Sequence, residues 1–275
     1  MKSIAEYTTL LVNHVADGVA SVKLNRPEFA NGVVPELARE LFDCLGALEA
    51  DRDVRVVIMS GAGKSFCAGA DLHAMQKYID ESLQAEEEPY NARILHPVTE
   101  RLANLSLPTI AAINGAATAG GLDLALACDI RIAAKSARLG ETYVRLGLAA
   151  GNGGAYFLPR LVGPGIAAEL AFTGELIDAE RALQLRLINE IVEDDVLAAR
   201  AADLATRIAR NPRKALEATK QMLRASWHTD LRASLSTSYW VTSTLQNTRD
   251  FKEGVAAAIE KRVPQYNRKR QPDSN

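Results

Sequence analysis

The chain has little of what marks the specialised protein classes. It holds three cysteines, Cys44, Cys67 and Cys128, in 275 residues, too few and too irregularly spaced for a disulfide framework. That usage points to a reducing setting, and a cytoplasmic protein is expected. No cysteine pair has metal-ligand spacing, and none of His14, His73, His96 and His228 pairs with another at i, i+4, so no bound metal is expected. Aromatic residues are sparse at 5%. No apolar run nears the ~18 residues of a membrane helix. The opening stretch, MKSIAEYTTLLVNHVADG, lacks the apolar core of a signal peptide. Nor is there excess positive charge. With 32 Lys and Arg against 34 Asp and Glu the net charge is −2, which gives no electrostatic case for nucleic acid or an anionic membrane. Nucleotide motifs are absent too. GAGKS (61–65) looks like the end of a phosphate loop, but position 58, where that loop needs glycine, is Ile58. No G-x-G-x-x-G follows a strand, and there is no G-x-S-x-G nucleophile elbow.

What remains is an ordinary globular composition, 48% hydrophobic and 24% charged, on a chain long enough for a sizeable core. Asp17-Gly18 between the β-prone runs LLVNHV and VASVKLN predicts a hairpin. Pro35 opens a run with helical spacing, PELARELFDCLGALEAD. VRVVIMSG (54–61), TIAAIN and DIRIAA (129–134) read as buried strands, and a helix starts at Leu72. AEEEPYN (85–91) reads as an exposed, mobile stretch, and RILHPVTERLANL as a helix that Pro97 must kink or restart. From Gly153 on, helical segments follow one another between Gly, Pro and Asn punctuation. The pattern predicts an α/β core over 1–195 and a helical C-terminal region over 196–275.

One plan occurs twice. IMSGAGKSFCAGADL (58–72) and AINGAATAGGLDL (112–124) each run from an apolar strand through a small polar residue, Gly and small residues to Asp-Leu at a helix. Glycine and alanine do no side-chain chemistry; they let something approach the backbone. A strand turning sharply into a helix leaves free N–H groups at the helix start. Two such loops face to face would make an oxyanion hole, where a lost donor costs about 3–4 kcal/mol of barrier. Tight packing of helix on sheet is the competing explanation.

At these residues the chain resembles the crotonase (enoyl-CoA hydratase/isomerase) superfamily. The likeness runs through LNRPEFAN (24–31), F-x-A-G-A-D at 66–71, N-G-x-x-x-x-G-G-x-D-L-x-x-x-C-D at 114–129, LGETYVRLGL (139–148) and DFKEGVAAAIEKR (250–262). The resemblance implies a spiral of ββα units with a C-terminal trimerisation region, trimers or hexamers, an acyl-CoA thioester as substrate and no further cofactor. It places the two oxyanion donors at the N–H groups of Ala70 and Gly120. Coenzyme A contacts would fall at Glu28, Phe29, Ala30, Ala68 and near Leu72, with His73 where relatives often carry a phosphate-binding lysine, and Lys261 as a C-terminal contact. Hydratases of the family use two glutamates; here their positions hold Asp123, shorter by one methylene, and Tyr143. Asp123 is the expected base that activates water. Tyr143, a phenol protonated at neutral pH, would donate or position a proton. Glu141 is an alternative acid, and Asn152 is placed to bind the acyl group or water. At Asp123 a helix start lowers the pKa and apolar burial raises it; the sequence leaves the balance open. Hydration of a 2-enoyl-CoA is the leading expectation. An isomerase, a decarboxylase, a carbon–carbon hydrolase and a catalytically weak CoA-binding subunit remain alternatives, while an RNA-binding role is disfavoured by the charge.

Overall fold

The structure, a computed structural model, describes residues 7–82 and 90–267. The hairpin forms as expected: β1 (Leu10–Ala16) pairs antiparallel with β2 (Val19–Leu24). After α1 (Pro35–Ala50), the chain lays one strand in a large sheet and the next in a small one, three times over. β3 (Val56–Gly61) leads to β4 (Ser65–Cys67), β5 (Thr109–Ile113) to β6 (Ala116–Thr118), and β7 (Ile130–Ala134) to β8 (Arg138–Gly140). The large sheet runs β1-β2-β3-β5-β7-β10 and the small one β4-β6-β8-β9, with β9 at Ile177–Asp178 and β10 at Glu190–Val192. Each turn of this spiral crosses back through helices: α2 (Leu72–Ser82) and α3 (Tyr90–Asn104), then α4 (Gly120–Ala127), then α5 (Gly154–Val162), α6 (Pro164–Thr173) and α7 (Ala179–Gln184).

The strands read as unbroken apolar runs because both faces of the large sheet are buried. Val57, Met59, Ala111, Ile113 and Ala133 face one core. Their neighbours Val56, Ile58, Ile110, Ala112 and Ile132 face a second, closed by α8 (Leu197–Ala209) through Leu197, Ala201, Ala205 and Ala209. Three alanines at i, i+4 spacing let α8 lie close to the strands. Beyond it come α9 (Arg213–Ala225), α10 (Leu231–Gln246) and α11 (Arg249–Ile259). α9 is tied to the core where Lys220 Nζ meets Asp129 Oδ2 at 2.8 Å and Arg224 meets Oδ1 at 3.1 Å.

Two local features stand out against the sequence pattern. Pro97 does not break its helix: α3 runs through it to Asn104. Leu95, Val98 and Leu102, all buried, sit at helical spacing around it, and that packing outweighs one lost backbone bond. α10 had no clear sequence signal, since LRASLSTSYWVTSTLQ is rich in Ser, Thr and aromatics of modest helix propensity. Its start is capped by Asp230, whose side chain accepts from Ala233 N. Of the stretch read as mobile, 85–89 lie outside the described residues, while Tyr90 and Asn91 begin α3.

Candidate active site

The two look-alike loops meet. β4 pairs with β6, so the turn at 68–71 lies against the turn at 119–120. A Cβ added at Gly69 would sit 3.2 Å from Gly120 N and 3.0 Å from Thr118 O. Two asparagines hold the loops in shape. Asn31 Nδ2 donates to Ala62 O and Ser65 O, while Asn114 accepts from Gly61 N and donates to Gly63 O and Ser65 O. In the bridge between Val33 and Ala70, Gly69 O accepts from Val33 N and Asp71 N donates to Val33 O. The Ala70 N–H therefore points away from that partner. Gly120 is the first residue of α4, whose first intrahelical bond is Asp123 N to Ala119 O, so its N–H needs a partner from outside the helix.

The glycines divide by role. A Cβ on Gly121 would lie 2.0 Å from Cys67 O, and one on Gly115 1.9 Å from Lys64 O; both clear room for neighbouring backbone, not for a ligand. Gly120 faces Tyr143 Oη, 3.4 Å from where its Cβ would be. The two aspartates of the repeated plan also diverge. Asp71 precedes α2, accepts from His73 N and Ala74 N, and pairs with Arg26 at 3.0 Å. These partners hold its pKa below the ordinary value against its burial. Asp123 lies a turn inside α4 and is fully buried.

Around Asp123 a polar cluster is closed into an apolar shell. Tyr143 Oη donates to Asp123 Oδ2 at 2.5 Å, and Asn152 Nδ2 donates to Tyr143 Oη at 2.7 Å. Glu141, 1% exposed, joins from the end of β8. Asp123 Oδ1, both Glu141 carboxyl oxygens and Asn152 Oδ1 are buried with no hydrogen-bond partner among the described residues. Burial decides the balance at Asp123: it raises the pKa to about 7, opposed by Tyr143, Glu141 and the backbone of Gly154 and Asn152. Glu141 rises further, to about 10, first from burial and then from the Asp123 charge. The same two causes raise Tyr143 above its ordinary value, so its phenol stays protonated.

A cavity of about 560 Å³ opens in front of this cluster. Of the residues expected from sequence, Glu28, Phe29, Ala68, Ala70, Leu72, His73, Tyr143 and Asn152 line it. Ala30 adjoins, its carbonyl accepting from Ala68 N. Asp123 and Glu141 lie behind Tyr143 and do not line the cavity; Gly120 is buried beside its lining residues Ala119 and Tyr143, and Lys261, just beyond α11, does not line it either. Sequence reasoning missed Arg145, Leu146 and Leu148, which line it from the turn after Tyr143, and Gly154, which packs on both carboxyls. Cys67 is buried, its thiol pushed up to about 12 by desolvation, in keeping with a packing role.

A family model described as Enoyl-CoA hydratase/isomerase matches residues 14–269. The 1,2-epoxyphenylacetyl-CoA isomerase of Escherichia coli K12 is 35% identical, over 93% of this chain and 97% of that protein. The short-chain-enoyl-CoA hydratase of Clostridium acetobutylicum is 37% identical, over 89% and 92%. Among solved structures, an enoyl-CoA hydratase from Bacillus anthracis superposes with a TM-score of 0.87 at 36% identity, covering 94% of this chain and 99% of that one.

Proposed function

The chain belongs to the enoyl-CoA hydratase/isomerase family, and from that premise we propose that it adds water across the double bond of a 2-enoyl-CoA. The observation that carries this is the Asp123–Tyr143–Asn152 chain set beside the Gly69–Gly120 loop contact. The thioester oxygen lies between the N–H groups of Ala70 and Gly120, where negative charge develops as the enolate forms. Tyr143 and Asn152 line the cavity and Asp123 does not, so proton traffic passes through the phenol. Water donates to Tyr143 Oη while Tyr143 gives its proton to Asp123 Oδ2. The hydroxide oxygen bonds to the β-carbon, and the electron pair of the double bond moves onto the thioester oxygen. The relay then runs backward and protonates the α-carbon. Asn152 Nδ2 donates to the phenol oxygen and steadies it. Asp123, raised to about 7 by burial, is suited to taking and returning a proton near neutral pH.

One observation favours a second reading. The cluster presents a single proton-active group, Tyr143, to the cavity. One such group suffices to take a proton from one carbon and return it to another, as an isomerase does. The test is loss of the enoyl-thioester absorbance of crotonyl-CoA with wild type and Asp123→Ala. Rapid loss in wild type, abolished in the variant, supports hydration. Full turnover by Asp123→Ala contradicts it, and a silent wild type that still binds CoA turns the assignment to isomerase, decarboxylase, hydrolase or binding subunit. A homo-oligomer, trimer or hexamer, belongs to the same proposal, with coenzyme A held along Glu28–Ala30, Ala68, Leu72 and His73. Lys261 would then serve a coenzyme site only across such an assembly.

A further inference from the structure

We propose that Glu141 is the positioning partner of Asp123, and that the two buried carboxyls hold one proton between them which keeps Asp123 charged and turned toward Tyr143. The inference rests on the relay just described and deepens it. A Cβ built on Gly154 would lie 2.6 Å from Glu141 Oε1 and 2.7 Å from Asp123 Oδ1. Both carboxyls therefore converge on one point of backbone at the start of α5. Neither is reached by solvent, at 1% and 0% exposure. The groups that act on the pair are Tyr143 from the turn at 142–146, and Asn152 and Gly154 from the segment entering α5. Among the described residues, no Lys, Arg or His is hydrogen-bonded to either carboxyl.

Two adjacent carboxylates in such surroundings cannot both be ionised. If both were protonated, Asp123 would have no charge with which to draw the phenol proton. One shared proton resolves this. A Glu141 O–H donating to Asp123 Oδ1 gives partners to two atoms that otherwise have none. It also leaves Oδ2 free to accept from Tyr143, as observed. The proton belongs on Glu141 because the Tyr143 O–H already donates to Asp123 Oδ2 and steadies a charge there, whereas neither Glu141 oxygen has a donor among the described residues. Burial raises both carboxyls, and because they interact their protons come off in two steps that belong to the pair and not to either residue. Glu141 does not line the cavity; it acts on substrate only through Asp123.

Two variants separate this from a merely structural role. Glu141→Gln replaces the O–H donor with an N–H donor. Its kcat should stay within about threefold of wild type, keep the acid limb near pH 7 and lose the alkaline limb. Glu141→Leu removes the donor. Its acid limb should move up by about one pH unit or more, lowering kcat near neutral pH about tenfold with KM little changed. An unmoved acid limb in Glu141→Leu overturns the proposal. Infrared spectra of the unliganded protein decide the matter without substrate, and without Glu141→Leu should it fail to fold. A buried protonated carboxyl band at pH 8, lost in Glu141→Gln, supports the shared proton; its absence from wild type, or its survival in Glu141→Gln, overturns it. Since that measurement needs no turnover, it stands even if the hydratase reading fails.

Discussion

At the scale of single residues, the site is a problem in holding charge where water cannot reach. Asp123 and Glu141 have folded-state pKa values raised above their ordinary 3.8 and 4.5, to about 7 and about 10. The native state therefore binds more protons than the unfolded chain between roughly pH 4 and pH 10. The pair's contribution to stability is whole at the acid end of that window and is lost as pH rises through it. Thermal unfolding should accordingly show a Tm that falls from pH 6 to pH 10 less steeply in Glu141→Gln than in wild type; parallel curves would contradict the assigned titrations. Of this arrangement, Asp123 and Tyr143 were legible in sequence because they stand where a recognisable motif puts two glutamates. That Tyr143 stands in front and Asp123 behind was not legible, because it depends on how the turn at 142–146 lies over α4. The meeting of Glu141 with Gly154 was hidden for a similar reason: β8 and α5 are joined by an irregular segment whose path no spacing rule fixes.

At the scale of elements, the repeated strand–loop–helix plan is the most readable part of the chain, and the small sheet explains it. β4 and β6 pair in parallel, so each loop is the other's neighbour and both must be stripped of side chains. Here the competing explanation, tight packing, takes a share. Gly121 clears the carbonyl of Cys67 while Gly120 clears the site. Gly121→Ala should therefore destabilise the fold by about 3 kcal/mol or more, since its Cβ meets backbone that cannot rotate away. Gly120→Ala meets side-chain atoms of Leu95 and Tyr143 at 3.1 and 3.4 Å, so it should cost activity more than stability. Denaturant unfolding beside initial rates would separate the two, and equal stability losses would refute the division. Pro97 and α10 show where local rules lose to context. A buried helix face carries the chain through a proline, and a helix of weak formers stands on its cap and its neighbours.

At the scale of the whole molecule, the C-terminal helices leave large apolar side chains open to water. Leu231, Leu235, Tyr239 and Trp240 on α10 are 60–75% exposed, and Ile259 at the end of α11 and Val263 beyond it more so. Large exposed apolar patches mark contact surfaces, and Leu231, Leu235 and Tyr239 recur at i, i+4 along one helix face. Copies of this chain are the occupants we expect, and Trp240→Glu should dissociate the assembly into monomers in sedimentation velocity; a monomeric wild type would contradict this. No described helix is long and apolar enough to cross a membrane. Hydration of a thioester by proton relay through Tyr143 to Asp123 is tested most directly by the decay of crotonyl-CoA absorbance at pH 8 for wild type, Asp123→Ala and Tyr143→Phe together. Rapid decay is expected in wild type, with at least about a 10²-fold loss in each variant. Wild-type rates in Tyr143→Phe would contradict the relay, and wild-type rates in both variants would contradict the site itself.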